Sequence, residues 1–139
     1  MYAFVSDRYW IDIGTTAKYL EVHRDILNGK FKSPDIPTNQ LDLTNLPEGA
    51  FVDDLSIVAE GVTIREGVRI ENSVIGSNCK IDTRAHIVDS VIWSGNTIDA
   101  DARISGALLG RGCYIGRSAT LKPGAVLGGK AVVTEYSSL

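Results

Sequence analysis

Histidine and cysteine are the residue types in this chain with the clearest chemical potential. The sequence holds two histidines, His23 and His86, and two cysteines, Cys79 and Cys113. An imidazole titrates near neutral pH and can serve as the general base of an acyl transfer to a hydroxyl group. Neither cysteine has a histidine or a second cysteine at metal-ligand spacing, so we predict no metal site at the thiols. The chemistry therefore depends on the elements that position these side chains.

A repeat of aliphatic residues contains most of these side chains. Steps of six, six and five residues separate its members, which gives a 17-residue coil and a final coil of 18. This spacing fits neither an amphipathic helix nor an alternating strand. It predicts an all-β fold, a left-handed parallel β-helix of hexapeptide repeats with three short strands per coil. The members are Val58, Ile64, Ile70, Ile75, Ile81, Ile87, Ile92, Ile98, Ile104, Leu109, Ile115, Leu121 and Leu127.

Two further columns support a triangular coil. The fourth residue after each aliphatic is apolar at twelve of 13 positions, which predicts a second interior column. Its members are Val62, Val68, Val74, Cys79, Ala85, Val91, Asn96, Ala102, Leu108, Cys113, Ala119, Ala125 and Ala131. The third residue is often glycine, Asn or Asp, which tolerate the positive φ of a sharp corner. The predicted corners are Gly61, Gly67, Ser73, Asn78, Arg84, Ser90, Gly95, Asp101, Ala107, Gly112, Ser118, Gly124 and Lys130.

The repeat indicates inert roles for the cysteines and for His86. Cys79 and Cys113 are two coils apart in one column, about 9 to 10 Å, which is beyond the roughly 7 Å Cα separation that a disulfide spans. His86 shares an outward column with Arg69 and Arg103, and cationic neighbours disfavour a protonated imidazole. We interpret this column as a solvated edge. No long loop interrupts the repeat to cover an acyl donor.

Trp93 is the candidate interface residue. It follows an interior aliphatic at the place where Gly76 and Gly110 stand one coil before and after it. A tryptophan between glycines on a flat outer face is an exposed apolar spot, which often marks contact with a partner or another domain. Isolated exposed aromatics are also common on protein surfaces. Of the two interpretations, we favour the interface.

The chain divides into a junction segment at residues 1–40 and a β-helix at 41–139, of which 58–133 is regular. Within the junction segment, residues 16–29 are predicted as a helix, and residues 30–40, with Pro34 and Pro37, as a linker. Residues 41–57 are a candidate for an irregular first coil, because Leu41 lies 17 residues before Val58.

The predicted helix has Thr16 as its N-cap and Asn28-Gly29 as its stop. His23 lies on its apolar face and is expected to pack there. Exposed coil ends carry unpaired backbone groups, and repeat proteins normally cover them. We expect this helix to cover one end of the β-helix.

The junction segment carries a family resemblance. Tyr9-Trp10-Ile11-Asp12-Ile13-Gly14-Thr15, with Tyr19-Leu20 and Asp25-Ile26-Leu27, resembles the junction of sugar-1-phosphate nucleotidyltransferases, most closely the mannose-1-phosphate guanylyltransferase-like branch. In that family the motif ends the catalytic domain, and a helix leads into a hexapeptide β-helix. Arg8 replaces the glycine usual before Tyr-Trp. The family's glycine-rich nucleotide loop is absent, so we expect this chain to be a C-terminal piece without the N-terminal catalytic domain.

The resemblance implies a metal role for Asp12. In full-length relatives the aspartate of this motif helps to hold the catalytic Mg²⁺ beside the phosphates, and Asp12 matches it. A hard divalent cation usually needs a second carboxylate and substrate phosphates, which would come from the catalytic domain. In this chain alone we expect Asp12 to be solvated or in a turn, and we expect no catalytic activity.

Composition excludes two classes of partner. A net charge of −3 gives no concentrated positive surface for nucleic acid. No stretch approaches the roughly 18 apolar residues of a membrane span, and the first residues lack the features of a signal peptide. We therefore expect a cytoplasmic protein that binds neither nucleic acid nor membrane.

The function that these observations favour is that of an assembly or regulatory β-helix domain in an enzyme that makes a nucleotide sugar from a nucleoside triphosphate and a sugar 1-phosphate. An acyl-CoA-dependent acyltransferase and a purely structural oligomerisation module remain as alternatives. The expected partners are the catalytic domain and a second copy of the chain. We favour a dimer over a trimer, because hexapeptide acyltransferases use trimers to build active sites that this chain does not need.

Overall fold

The computed structural model describes residues 15–28 and 40–139. One helix, α1, spans Thr16–Leu27, and fifteen strands of two or three residues follow it. The strands are β1 (Phe51–Val52), β2 (Ile57–Val58), β3 (Thr63–Ile64), β4 (Arg69–Glu71), β5 (Val74–Ile75), β6 (Lys80–Ile81), β7 (His86–Val88), β8 (Val91–Ile92), β9 (Thr97–Ile98), β10 (Arg103–Ser105), β11 (Leu108–Leu109), β12 (Tyr114–Ile115), β13 (Thr120–Leu121), β14 (Val126–Leu127) and β15 (Val132–Val133). Within the two described ranges, no helix has the length and apolarity that crossing a membrane requires.

The strands form three parallel sheets of five strands each. Sheet A contains β1, β4, β7, β10 and β13; sheet B contains β2, β5, β8, β11 and β14; sheet C contains β3, β6, β9, β12 and β15. Each strand pairs with the strand one coil later, so that Ile70 lies beside Ile87 and Ile75 beside Ile92. The chain is therefore a three-sided parallel β-helix of five coils, as its repeat predicts.

The predicted aliphatic ladder forms the core. Twelve of its thirteen members are at most 8% exposed, and Leu127 in the last coil is partly buried. Burying one such side chain contributes about 1.5 to 3 kcal/mol. Cys79 and Cys113 are free and buried in this core, which confirms the prediction of unpaired thiols.

The five-residue step changes the second predicted column. At this step the fourth residue comes directly before the next interior aliphatic, and alternation along the strand turns it outward. Val74, Val91 and Leu108 therefore lie on the outer surface of sheet B, and their assignment to the interior was wrong. The interior positions belong to Ser73, Ser90 and Ala107, at 0%, 1% and 0% exposure.

The corners shift by one residue for the same reason. Ten of the thirteen predicted corner residues have a positive φ. At the five-residue steps the positive φ falls one residue earlier than predicted, on Asn72, Asp89 and Gly106, with values of 46°, 50° and 57°. The five-residue step is therefore one residue shorter before its turn residue than the six-residue steps are.

A ladder of serines satisfies the backbone inside these corners. The hydroxyl oxygen of Ser73 accepts from the N–H of Ser90 at 3.1 Å, and that of Ser90 accepts from the N–H of Ala107 at 3.1 Å. The two hydroxyls donate to the carbonyl oxygens of Glu71 and Val88, both at 2.7 Å. Buried serines are therefore tolerated, because each makes hydrogen bonds in both directions.

Residues 41–50 lie over the N-terminal end of the core. Leu41, Leu46 and Ala50 are partly buried against it. The N–H of Leu41 donates to the carbonyl oxygen of Val58 at 2.9 Å, and Gln40 forms an antiparallel bridge with Ala59. Leu41 thus lies next to Val58, as the spacing suggests, but with the opposite chain direction. Parallel pairing begins with β1.

Helix α1 packs on the side of the β-helix, against sheet B. Leu20 is buried, and it lines a small crevice together with Leu27, Val74 and Val91 of sheet B. The expectation that the helix covers a coil end was wrong, since its apolar residues face the apolar outer surface of sheet B. The N-cap is Thr15 and not Thr16, since the Thr15 hydroxyl accepts from the Lys18 N–H at 3.2 Å.

Candidate functional site

Sheet B is the sheet with an apolar outer surface. The outward residue of each of its strands is aliphatic: Ile57, Val74, Val91, Leu108 and Val126. The corresponding residues of the other two sheets are mostly polar, for example Arg69 and Arg103 on sheet A or Thr63 and Lys80 on sheet C. Helix α1 lies over Val74 and Val91, whereas Val126 remains 51% exposed. An apolar sheet face that is covered only in part is suited to binding.

A cavity of about 540 Å³ opens between α1 and sheet B, and we call it the α1 groove. Its floor is apolar, and aromatic and charged side chains stand around it. The lining residues are Tyr19, His23, Ala59, Glu60, Val74, Gly76, Ser77, Val91, Ile92, Trp93, Ser94 and Arg111. A concave, mostly apolar site with a few polar groups is the usual form of a binding pocket.

Trp93 stands at this groove and is 43% exposed, so its exposure is as predicted. The Arg111 guanidinium lies over the indole ring at 5.5 Å from its centroid, a cation–π contact. The neighbouring glycines are required by close packing between coils. A Cβ on Gly76 would meet the Ser94 nitrogen at 2.6 Å, and one on Gly110 would meet the Gly129 nitrogen at 2.8 Å. Because these glycines have no side chain, no side chain stands beside the indole at these positions of the two neighbouring coils.

His23 forms part of the opposite wall. Its ring packs against Tyr19 with the centroids 4.6 Å apart, as the predicted packing role requires. Burial lowers the pKa of His23 below its ordinary value of 6.5, because the charged form loses its hydration. The groove therefore favours a neutral His23.

His86 lies on sheet A, away from the α1 groove. Its register places it between Arg69 and Arg103, as predicted. The Nε2 atom of His86 lies 3.0 Å from Glu71, which also accepts from Arg69 at 2.9 Å. These two contacts, with His86 the larger cause, lower the pKa of Glu71. A carboxylate can orient a histidine base, but here the same carboxylate is shared with an arginine on an open face, as in a surface ion-pair network.

The predicted metal residue lies elsewhere. Asp12 is outside the described residues. Across residues 15–28 and 40–139, no group of three or more His, Cys, Asp or Glu side chains is placed to hold a metal ion.

Sequence reasoning missed three groove residues, Tyr19, Glu60 and Arg111. The sequence did contain a signal for a covered surface on sheet B. An aliphatic residue stands directly before each interior residue of this sheet, and it recurs every 17 residues as Ile57, Val74, Val91 and Leu108. Strands that are apolar on both faces indicate that another part of the protein or a partner covers the outer face of the sheet.

Comparison with known proteins gives one family and several relatives. The family model of the EIF2B subunit epsilon LbH domain, a left-handed β-helix, matches residues 40–139. Glucose-1-phosphate adenylyltransferase 2 of Vibrio cholerae is 29% identical over 101 residues, which cover 63% of this chain and 24% of that protein. Glucose-1-phosphate adenylyltransferase of Bifidobacterium longum is 33% identical over 98 residues, which cover 61% of this chain and 23% of that protein. The chain thus spans about a quarter of the length of these curated relatives.

Proposed function

Because the chain belongs to the EIF2B subunit epsilon LbH domain family, we propose that it is the C-terminal assembly or regulatory domain of a nucleotidyltransferase. The parent enzyme joins a nucleoside triphosphate and a sugar 1-phosphate with Mg²⁺, and it works in the cytoplasm. In that enzyme this chain contributes Asp12 to the Mg²⁺ site, and the catalytic domain supplies the other catalytic groups. The similarity to two glucose-1-phosphate adenylyltransferases over about 100 residues is the observation that carries this proposal.

The junction motif supports the proposal independently of the β-helix. Asp12 lies in the Tyr9–Thr15 segment, which resembles the end of a nucleotidyltransferase catalytic domain, and a helix and a β-helix follow it in the order that this family has. The identities of the nucleotide and of the sugar depend on contacts in the catalytic domain. The guanylyltransferase-like branch stays a prediction, since the relatives named above are adenylyltransferases.

The apolar surface of sheet B is the part of the molecule suited to an assembly role. Trp93 and Val126 are 43% and 51% exposed, Trp93 directly after β8 and Val126 on β14 of sheet B. Large aromatic side chains on a rigid surface are common anchors of protein interfaces. We assign this surface to contact with the catalytic domain or with a second copy.

A chimaera tests the proposal. The catalytic part of the Vibrio cholerae adenylyltransferase is fused to residues 1–139 and compared with the same catalytic part alone and with this chain alone. We expect pyrophosphate release from the chimaera, a larger assembly than that of the catalytic part alone, and no turnover by this chain with any nucleoside triphosphate and sugar 1-phosphate in the presence of Mg²⁺.

Two controls make the result specific. Trp93→Ser in the chimaera is expected to weaken assembly, whereas Phe51→Ser, which removes a similarly exposed aromatic from sheet A, is not. Turnover by this chain alone that Asp12→Ala abolishes would contradict the proposal, as would a chimaera that assembles no better than the catalytic part. Acyl transfer from acetyl-CoA that His86→Ala abolishes would instead support the acyltransferase alternative.

A further inference from the structure

The outer surface of sheet A carries an ordered array of polar side chains. Residues at alternate positions of each strand point outward, so each coil contributes a row of two. From the second coil to the fifth, the rows are Arg69 and Glu71, His86 and Val88, Arg103 and Ser105, and Thr120 and Lys122. Adjacent rows are about 4.8 Å apart, and the two members of a row are about 6.6 Å apart.

The charges of the first two of these rows neutralise one another. Glu71 accepts from Arg69 at 2.9 Å and lies 3.0 Å from the Nε2 atom of His86. This carboxylate therefore balances the charge of Arg69 and is also in contact with His86. The rows of the fourth and fifth coils have no such acid.

Arg103 and Lys122 are the two cations of these rows. Neither makes an ion pair with any residue that the structure describes. They line a shallow cavity of about 300 Å³ with the hydroxyl residues Ser105 and Thr120 and with His86, and the lining contains no Asp or Glu. The nearest acid in sequence, Asp101, is held by Arg84 through two contacts at 2.8 and 3.0 Å, and the charge of Arg103 acts on it more weakly than Arg84 does. Like charges on neighbouring strands repel each other, and a bound anion would remove this repulsion.

We propose that Arg103, Ser105, Thr120 and Lys122 bind a phosphoryl group. Four donors at the corners of a block of about 4.8 by 6.6 Å surround a space that a tetrahedral oxyanion fits. Two permanent cations match the charge of a phosphate dianion, and two hydroxyls donate to its remaining oxygens. The same chemistry is offered by inorganic phosphate and by the phosphate of a monoester metabolite. Because the four side chains are carried by paired strands of a rigid sheet, the site is formed before the ligand arrives.

Phosphate titration of the whole chain tests the site. Inorganic phosphate is added at constant ionic strength in chloride buffer, and the backbone amide signals of Ser105, Thr120 and Lys122 are followed by NMR. We expect a saturable shift of these signals that Arg103→Gln and Lys122→Gln each weaken by about fivefold, the range of exposed ionic contacts. Lys80→Gln, which removes an exposed cation from sheet C, is the charge-matched control and is expected to leave the affinity unchanged.

A second titration identifies the source of the phosphoryl group. Glycerol 3-phosphate replaces inorganic phosphate under the same conditions. Binding of inorganic phosphate alone supports a free oxyanion as ligand, and binding of glycerol 3-phosphate with equal or higher affinity supports a monoester. The absence of saturable shifts with both compounds would overturn the proposal, and so would equal weakening by Lys80→Gln and Arg103→Gln. Unchanged amide signals of the buried core residues show that each variant is folded.

Discussion

The side-chain oxygen of Asn96 accepts a hydrogen bond from the backbone N–H of Cys113 at 2.8 Å, in the middle of the core. The same amide group donates to the carbonyl oxygens of Trp93 at 2.6 Å and Gly110 at 2.9 Å. Asn96 is fully buried and stands in a column of small apolar residues and thiols. One polar side chain thus satisfies backbone groups of successive coils that have no water within reach.

Asn96→Ala is expected to lower the free energy of unfolding by about 3 kcal/mol, because the buried Cys113 N–H loses its partner and the carbonyl oxygens of Trp93 and Gly110 keep only thiol donors. Urea unfolding followed by circular dichroism measures this change. Asn45→Ala is the control, since Asn45 is exposed in a turn, and its effect should stay within about 0.5 kcal/mol. A loss from Asn96→Ala that is no greater than that of the control would show that the buried amide is dispensable.

Ile98→Asp is expected to prevent folding. Ile98 is fully buried between Ile81 and Ile115 of the neighbouring coils, and an unpaired carboxylate there has neither water nor a cation. Thr97→Asp places the same charge one residue earlier on the outward side of β9 and should fold normally. Circular dichroism and thermal unfolding distinguish the two variants. A native-like spectrum and melting temperature for Ile98→Asp would contradict the inward assignment.

The packing of α1 on sheet B is expected to weaken in acid. Burial lowers the pKa of His23, so the folded protein binds fewer protons than the unfolded chain below pH 6.5. The contribution of a neutral His23 is therefore complete above pH 6.5 and is lost as the pH falls through the lowered value. Trp93 lines the same groove, and its fluorescence in a Trp10→Phe background reports the change.

His23→Gln should remove this response to falling pH, because the lowered pKa of His23 is its cause. His86→Gln is the control, because His86 lies on sheet A, and it should keep the response. Glu60, Arg111, Arg24 and Asp89 are the other charged residues that line the cavities beside His23, and a response that persists without His23 would point to them instead.

Self-association through sheet B is expected at micromolar concentration, with a dimer favoured over a trimer. The physical reason is the apolar surface of Trp93 and Val126 that α1 leaves exposed. Size-exclusion chromatography with light scattering measures the mass, and Trp93→Ser should shift it towards the monomer. A monodisperse monomer that this substitution leaves unchanged would refute both the dimer and the interface role of Trp93.

The β-helix, its coil length and its core ladder could all be predicted from the sequence, because every coil repeats the same local requirement. An aliphatic residue at each inward position, such as Ile70, Ile87 and Ile104, can be satisfied only by the coils directly above and below it. The separation of Cys79 and Cys113 followed from the same stacking. The exposure of Trp93 followed from the glycines on both sides of it.

The tertiary structure alone decided how the corner between sheets A and B is built and where α1 lies. The five-residue step has one residue fewer than the others, which turns Val74 and Val91 outward and places Ser73 and Ser90 inside. The sequence does not reveal this change, because serine is suited both to a corner and to a hydrogen-bonded interior position. The outward valines then bind α1 on a lateral face. Repeat spacing specifies contacts between successive coils, whereas the position of a single helix depends on which outer surface has apolar area left to bury.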